Sequence, residues 1–130
     1  MASVRKIYLC GGINGLSTSD CKDWREYAKL HLTALTLDPM RRDFRGMERN
    51  FAREIVNGDK ADLRECDAVL VNAERPSWGT AMEVMLAHQF NKPTVAFLAE
   101  PQNASPWLRF HTTKLVSTLD QAIAWLNSGE

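Results

Sequence analysis

Glu83 is the residue around which a reaction could be built. It lies in Pro76-Ser77-Trp78-Gly79-Thr80-Ala81-Met82-Glu83, a loop-like stretch running into a helical one. Two readings of it stand side by side. Thr80 and Glu83 have capping-box spacing, in which the glutamate only satisfies a backbone amide. Alternatively, a carboxylate at the head of a helix is held ionised by the dipole and the free N–H groups. A fixed, ionised carboxylate is what attack on a sugar C1′ requires. Asp59 could supply a second acid. It follows Asn57-Gly58 and reads either as a helix N-cap or as a carboxyl group that guides or protonates a departing base. Asp62 reads as a solvated helical charge. Asp67 reads as the end of that helix, just ahead of a buried strand.

Other polar groups gather near glycines. Gly11-Gly12-Ile13-Asn14-Gly15 follows a short apolar run. It is neither the G-x-G-x-x-G dinucleotide fingerprint nor a loop with a Walker lysine. Its backbone N–H groups could approach an anion, although glycines serve tight turns equally well. Arg41, Arg42 and Arg45 give a local positive field, which fits a solvated loop or a phosphate contact. Trp78 and Trp107 fall in loop-like stretches and could stack on a base, whereas Trp24 and Trp125 point to the core. His31 sits on an apolar helical stripe. His88 and His111 have no partner at metal-ligand spacing, and no G-x-S-x-G elbow occurs. No metal and no cofactor is expected.

The surrounding elements follow from periodicity. Continuous apolar runs predict buried strands over residues 7–10, 35–37, 68–71, 94–99 and 115–116. Helical spacing predicts a helix over 20–35 with Asp20 as its cap, a second from about 59 to 66, a third over 80–90 and a last over 120–127. Met47, Phe51 and Ile55 also keep helical spacing. Residues 40–46 read as a loop and 100–109 as an irregular segment. Strands alternating with helices predict an α/β fold with a parallel sheet covered on both faces. The expectation is a single domain over residues 1–130, doubly wound in the flavodoxin-like or Rossmann-like manner, with about five strands. Ligands in such sheets sit at the carboxyl ends of the strands. The loops there are 11–19, 38–46, 72–79 and 100–109, where the polar and glycine-rich residues concentrate.

The bulk composition agrees. The 130 residues suit one compact domain, and 45% are hydrophobic. Sixteen basic and sixteen acidic residues cancel, which argues against a nucleic-acid surface. No apolar run approaches a membrane span, and the first residues do not resemble a signal peptide. Three scattered cysteines, Cys10, Cys21 and Cys66, suit reduced thiols in a cytoplasmic protein better than a disulfide frame.

Three pieces together resemble the nucleoside 2-deoxyribosyltransferase family and its relatives, the 2′-deoxynucleoside 5′-monophosphate N-glycosidases. They are Lys6 through Gly15, Asp59 through Asp67, and Pro76 through Glu83. The resemblance covers roughly residues 6–98 and implies a doubly wound parallel sheet. It implies that Glu83 is the nucleophile, that Asp59 lies near the leaving base and that Tyr8 positions the carboxylate. It implies substrate contacts from Gly11, Gly12, Ile13, Asn14, Gly15, Asp43, Ser77 and Gly79. Ser105 resembles a serine that a neighbouring subunit contributes, so a homodimer or larger homo-oligomer with shared sites is expected. Where the transferases commonly carry an aspartate for the free 5′-hydroxyl, this chain has Ser77. A carboxylate there would repel a 5′-phosphate, and a serine hydroxyl can donate to it.

The expected function is therefore hydrolysis of the base–sugar bond of a (deoxy)nucleoside 5′-monophosphate, a small-molecule substrate. One rival is base exchange on free deoxynucleosides. Another is a non-catalytic nucleotide-binding module, and a third is an unrelated flavodoxin-like domain with a capping glutamate. The catalytic reading requires Tyr8, Asp59, Ser77 and Glu83 to line one pocket.

Overall fold

The computed structural model describes residues 5–129. Five strands, β1 (Lys6–Cys10), β2 (Leu35–Leu37), β3 (Ala68–Asn72), β4 (Thr94–Phe97) and β5 (Lys114–Val116), alternate with five α-helices. These are α1 (Thr18–His31), α2 (Ala52–Glu65), α3 (Trp78–Gln89), α4 (Pro106–His111) and α5 (Leu119–Asn127). The strand order is β2-β1-β3-β4-β5, and every pairing is parallel. This is the flavodoxin-like order, whose switch point lies between β1 and β3.

The sheet separates two apolar layers. Ile7, Leu9, Ala68, Leu70, Val95 and Phe97 pack with Ala28 and Leu32 from the α1 side and with Ala122, Ile123 and Leu126 of α5. On the opposite face, Tyr8, Cys10, Val69, Val71 and Ala96 pack with Leu63 of α2 and with Val84 and Ala87 of α3. Successive strand residues point to opposite faces, so β1 contributes Ile7 and Leu9 to one layer and Tyr8 and Cys10 to the other. Both faces are covered, which is why the strands read as unbroken apolar runs.

Several boundaries differ from the sequence expectation. α1 starts earlier, because Ser17 rather than Asp20 is its cap: Ser17 Oγ accepts from Asp20 N at 3.1 Å. It also stops at His31, leaving Leu35 to β2. His31 is exposed and packs its ring against Tyr27, 4.3 Å between centroids, so it is not a core residue. α2 is one continuous helix from Ala52, running straight through Asn57-Gly58. Asp59 is therefore a mid-helix residue and no N-cap. Asp67 does not end the helix either; its Oδ2 accepts from Lys6 N at 2.9 Å, tying β3 to β1. A 3-10 turn, Pro39–Arg41, interrupts the expected loop. α4 forms inside the segment read as irregular, opened by Ser105 as cap and Pro106 at its first position, a favourable pairing for a helix start. Among the described residues, no helix is long and apolar enough to cross a membrane.

Candidate active site

β1 and α3 build the reactive centre between them. Tyr8 and Cys10 are two apart on β1 and share its α2/α3 face. The Tyr8 hydroxyl donates to Glu83 Oε2 at 2.8 Å, and Cys10 Sγ donates to Glu83 Oε1 at 3.2 Å. Each carboxylate oxygen thus receives one donor from the sheet floor. Tyr8 and Cys10 are fully buried. Burial, with the Glu83 charge beside them, pushes the Tyr8 hydroxyl and the Cys10 thiol well above their ordinary pKa values, so both stay protonated donors.

The capping-box reading of Glu83 does not hold. Ser77 is the N-cap of α3, with Oγ accepting from Thr80 N at 3.4 Å. Glu83 sits six residues beyond that cap, past the first turn where the helix dipole acts strongly. Its side chain is directed to β1 instead of to its own backbone. The argument for a dipole-held, ionised carboxylate fails with it. Burial raises the Glu83 pKa to about 8, and the nearby Asp59 charge and a hydrogen bond shared with Asp59 add to the rise. Donation from Tyr8 and Cys10 works in the opposite direction. At neutral pH, Glu83 therefore keeps its proton, with Asp59 beside it.

Asp59 reaches this centre from α2. Its other side meets Arg42, whose Nη2 lies 3.1 Å from Asp59 Oδ1 and 2.8 Å from Asp62 Oδ2. Arg41 grips Asp62 with both terminal nitrogens, at 2.7 and 3.0 Å. Asp62 is buried, contrary to its reading as a solvated charge. Burial works to raise its pKa, but the bonds from Arg41 and Arg42 outweigh that and hold it below the usual value. Arg41 and Arg42 are thus tied to carboxylates. Arg45 forks onto Asp43 at 2.7 to 3.1 Å, and its hydrogen bonds hold the Asp43 carboxyl at about 2.

The glycine loop lies at the carboxyl end of β1. A Cβ on Gly11 would stand 2.7 Å from Trp24 Cζ2, so only glycine fits there. Gly15 has φ +80°, in the left-handed region, and Asn14 and Gly15 are exposed. Fully buried Arg25 fastens the loop, donating to Leu9 O at 3.4 Å and to Gly11 O at 3.0 Å. Asp38 is its counter-charge at 3.7 Å. Ser77 stands beside this loop: a Cβ on Gly12 would come within 3.7 Å of Ser77 Cβ. Ile13 turns its carbonyl inward, accepting from Leu16 N at 3.2 Å. Gly79 is an exposed residue of the first turn of α3. Asp43 and Ser105 stand apart. Asp43 is held by Arg45, and exposed Ser105 caps α4 by accepting from Trp107 N at 3.1 Å. Among the described residues, neither is hydrogen-bonded to Tyr8, Asp59 or Glu83.

The structure thus brings Tyr8, Asp59 and Glu83 into one cluster and sets Ser77 against the glycine loop. A cavity of about 260 Å³ opens on the α1 side of that loop, lined by Gly12, Ser19, Trp24, Asn72 and Arg75 among others. Tyr8, Asp59, Ser77 and Glu83 are not among its lining residues. Cys10 had no assigned role in the sequence reading, and Arg42 was read only as part of a positive field that fits a solvated loop or a phosphate contact. Cys10 was accessible from strand parity, two residues after Tyr8; Arg42 carried no local signal beyond its charge.

A doubly wound parallel sheet thus carries two neighbouring carboxyl groups, Asp59 and Glu83, and a tyrosine donor from β1. The model of the nucleoside 2-deoxyribosyltransferase family matches residues 7–123, and the chain belongs to that family. Membership places it among enzymes of the nucleoside 2-deoxyribosyltransferase type. No match was found among curated proteins. Solved structures share the fold at low identity. A conserved protein from Enterococcus faecalis V583 superposes with TM-score 0.76 at 12% identity, covering 98% of this chain and 100% of that one. The 2-deoxyribosyltransferase of Bacillus psychrosaccharolyticus gives 0.73 at 14%, covering 91% and 90%. The Clostridium botulinum CMP N-glycosidase BcmB gives 0.63 at 16%, covering 95% and 99%.

Proposed function

We propose that this chain, acting as a single domain over residues 1–130, hydrolyses the base–sugar bond of a (deoxy)nucleoside 5′-monophosphate. The observation that carries this reading is the Glu83 carboxyl group, bonded to Tyr8 and keeping its proton at neutral pH against Asp59. On binding, that proton passes through Asp59 to a nitrogen of the base. The C1′–N bond breaks and its electron pair leaves with the base. The freed Glu83 oxygen forms a bond to C1′ through an oxocarbenium-like transition state. Tyr8 and Cys10 hold the carboxylate at the attacking angle. Water then attacks C1′, releasing Glu83 and a sugar 5-phosphate with retained configuration. Asp59 accepts the water proton, which restores the starting state.

Ser77 supports a phosphate over a free 5′-hydroxyl. Its oxygen caps α3 as an acceptor, which leaves the hydroxyl hydrogen to donate. The N–H groups of residues 11–15, whose Gly12 lies beside Ser77, and that of Gly79, two residues after it, suit the same anion.

The site is completed by a second copy in this reading. Trp78, Met82, Trp107 and Phe110 are 85%, 62%, 70% and 71% exposed. They lie on α3, which carries Glu83, and on its neighbour α4, and exposed apolar groups of this size mark interaction surfaces. A copy docked there would cover the α3–α4 surface beside Glu83 and bring its own Ser105 toward the site. The three unpaired cysteines suit the reducing cytoplasm.

The deciding experiment is chromatography of free base after incubating the protein with a panel of nucleosides and nucleoside 5′-monophosphates. Base release from a monophosphate alone is the expected result. Release from a deoxynucleoside only when a second base is supplied would establish transfer instead. Binding with no base release would leave a non-catalytic module.

A further inference from the structure

Gly58 sits in the middle of α2, where glycine is a poor helix former. The reason is on its outer side. A Cβ there would stand 2.7 Å from Arg42 Nε and 3.1 Å from Arg42 Cζ. The guanidinium therefore lies on bare helix backbone, and from that seat it spans Asp59 at 3.1 Å and Asp62 at 2.8 Å. Arg41 holds the far side of Asp62. The result is a line of alternating charge, Arg41–Asp62–Arg42–Asp59, ending at Glu83. The other titratable groups facing this end are Tyr8 and Cys10 on β1. Among the described residues, Arg42 is the cation bonded to Asp59.

We propose that Arg42, seated on Gly58, is a positioning residue that fixes the Asp59 carboxyl group against Glu83 and tempers the negative charge it presents there. The proposal rests on the reading of Glu83 as the reacting carboxylate. Arg42 touches neither Glu83 nor, in this reading, the sugar; it acts through Asp59. Its charge offsets the negative field that Asp59 casts on Glu83, and a salt bridge to a partly buried carboxylate is the geometry in which such an offset is effective. Gly58 is the sequence mark of the arrangement, since a side chain at that position would displace the guanidinium.

Carboxyl carbon NMR titration of the full chain tests this without any need for turnover. The Glu83 signal is assigned by its loss in E83Q. In R42Q, the Glu83 midpoint is expected to rise by about one pH unit, because the Asp59 charge is no longer offset. R42K keeps the charge and should return the midpoint most of the way. G58A deletes no bonding group and should move the midpoint upward as well, by pushing the guanidinium off Asp59. A purely structural Arg42 would lower the melting temperature and leave the Glu83 midpoint alone; R42Q titrating together with wild type overturns the proposal. If R42Q does not fold, G58A decides: a wild-type midpoint with a raised melting temperature, as expected of a plain glycine-to-alanine helix change, overturns it equally. Base release by the wild type is scored separately. Its absence would sink the proposed reaction while the titration still judged Arg42. Where base is released, the alkaline limb of kcat/KM in R42Q should move up in step with the NMR midpoint, because the reaction needs the Glu83 proton.

Discussion

The Tyr8 hydroxyl lies 2.8 Å from Glu83 Oε2, joining residues 75 apart in the chain. A buried phenol that cannot ionise donates to a carboxylate that must. If Glu83 is the nucleophile, Glu83→Gln should lower base release by about a thousandfold or more, as loss of a nucleophile does. Tyr8→Phe should lower it by about ten- to a hundredfold, the worth of one hydrogen bond to a charged group. Single-turnover rates measure both. Wild-type turnover by Glu83→Gln would end the assignment.

The raised pKa of Glu83 makes stability depend on pH. Glu83 titrates near 8 in the folded chain against an ordinary value of 4.5. The folded state then binds the proton more tightly than the unfolded one. The contribution is complete below the lower value and is lost as pH rises through the upper one. Urea denaturation at about pH 5 and about pH 9 should show this decline in wild type and a smaller one in Glu83→Gln. Parallel pH curves for the two proteins would contradict a buried, proton-holding Glu83.

Ser77→Asp is informative because aspartate is as good an N-cap as serine, so α3 should survive. A carboxylate at that position repels a phosphate dianion. The kcat/KM for a 5′-monophosphate should fall by about tenfold or more, with any activity on the free nucleoside spared. Equal losses on both substrates would remove Ser77 from phosphate selection.

Arg25 is fully buried between α1 and the end of β1, with Asp38 as its charge partner. Its pKa is lowered, chiefly by burial, with Asp38 opposing. Arg25→Ala leaves Asp38 with Lys29 at 2.6 Å and strands the carbonyls of Leu9, Gly11 and Cys21. Loss of one member of a buried pair costs about 3–5 kcal/mol. Equilibrium unfolding should show a loss in that range; a change within error would mean that water replaces the guanidinium.

Trp78→Glu and Phe110→Glu place charges on the exposed apolar rim of α3 and α4. If a second copy docks there, sedimentation should show an oligomer in wild type and a monomer in either variant. Base release should fall with assembly. A monomeric, fully active wild type would rule out shared sites.

The sheet was readable because β1, β3 and β4 are apolar on both faces, a pattern with few alternatives. Glu83 and Asp59 stood out by residue type and position, Tyr8 only by motif resemblance, and the fold brings the three together. What stayed hidden was set by long-range packing. Asn57-Gly58 looks like a helix break, because nothing local reveals that an arginine 16 residues away lies where a Cβ would be. Asp62 looked solvated because its partners, Arg41 and Arg42, come from another element. α4 has only six residues, too few for periodicity to register. The protonation of Glu83 was misjudged because a helix start argues from local dipoles, whereas burial depends on what the rest of the chain places around the side chain.

The parity of β1 has an evolutionary corollary. Ile7 and Leu9 look one way and Tyr8 and Cys10 the other, so substitutions at adjacent positions of one strand have separable consequences. Drift at the odd positions is judged by cohesion of the α1/α5 half alone. Innovation at the even positions could re-equip the centre for another electrophile while that half stays intact.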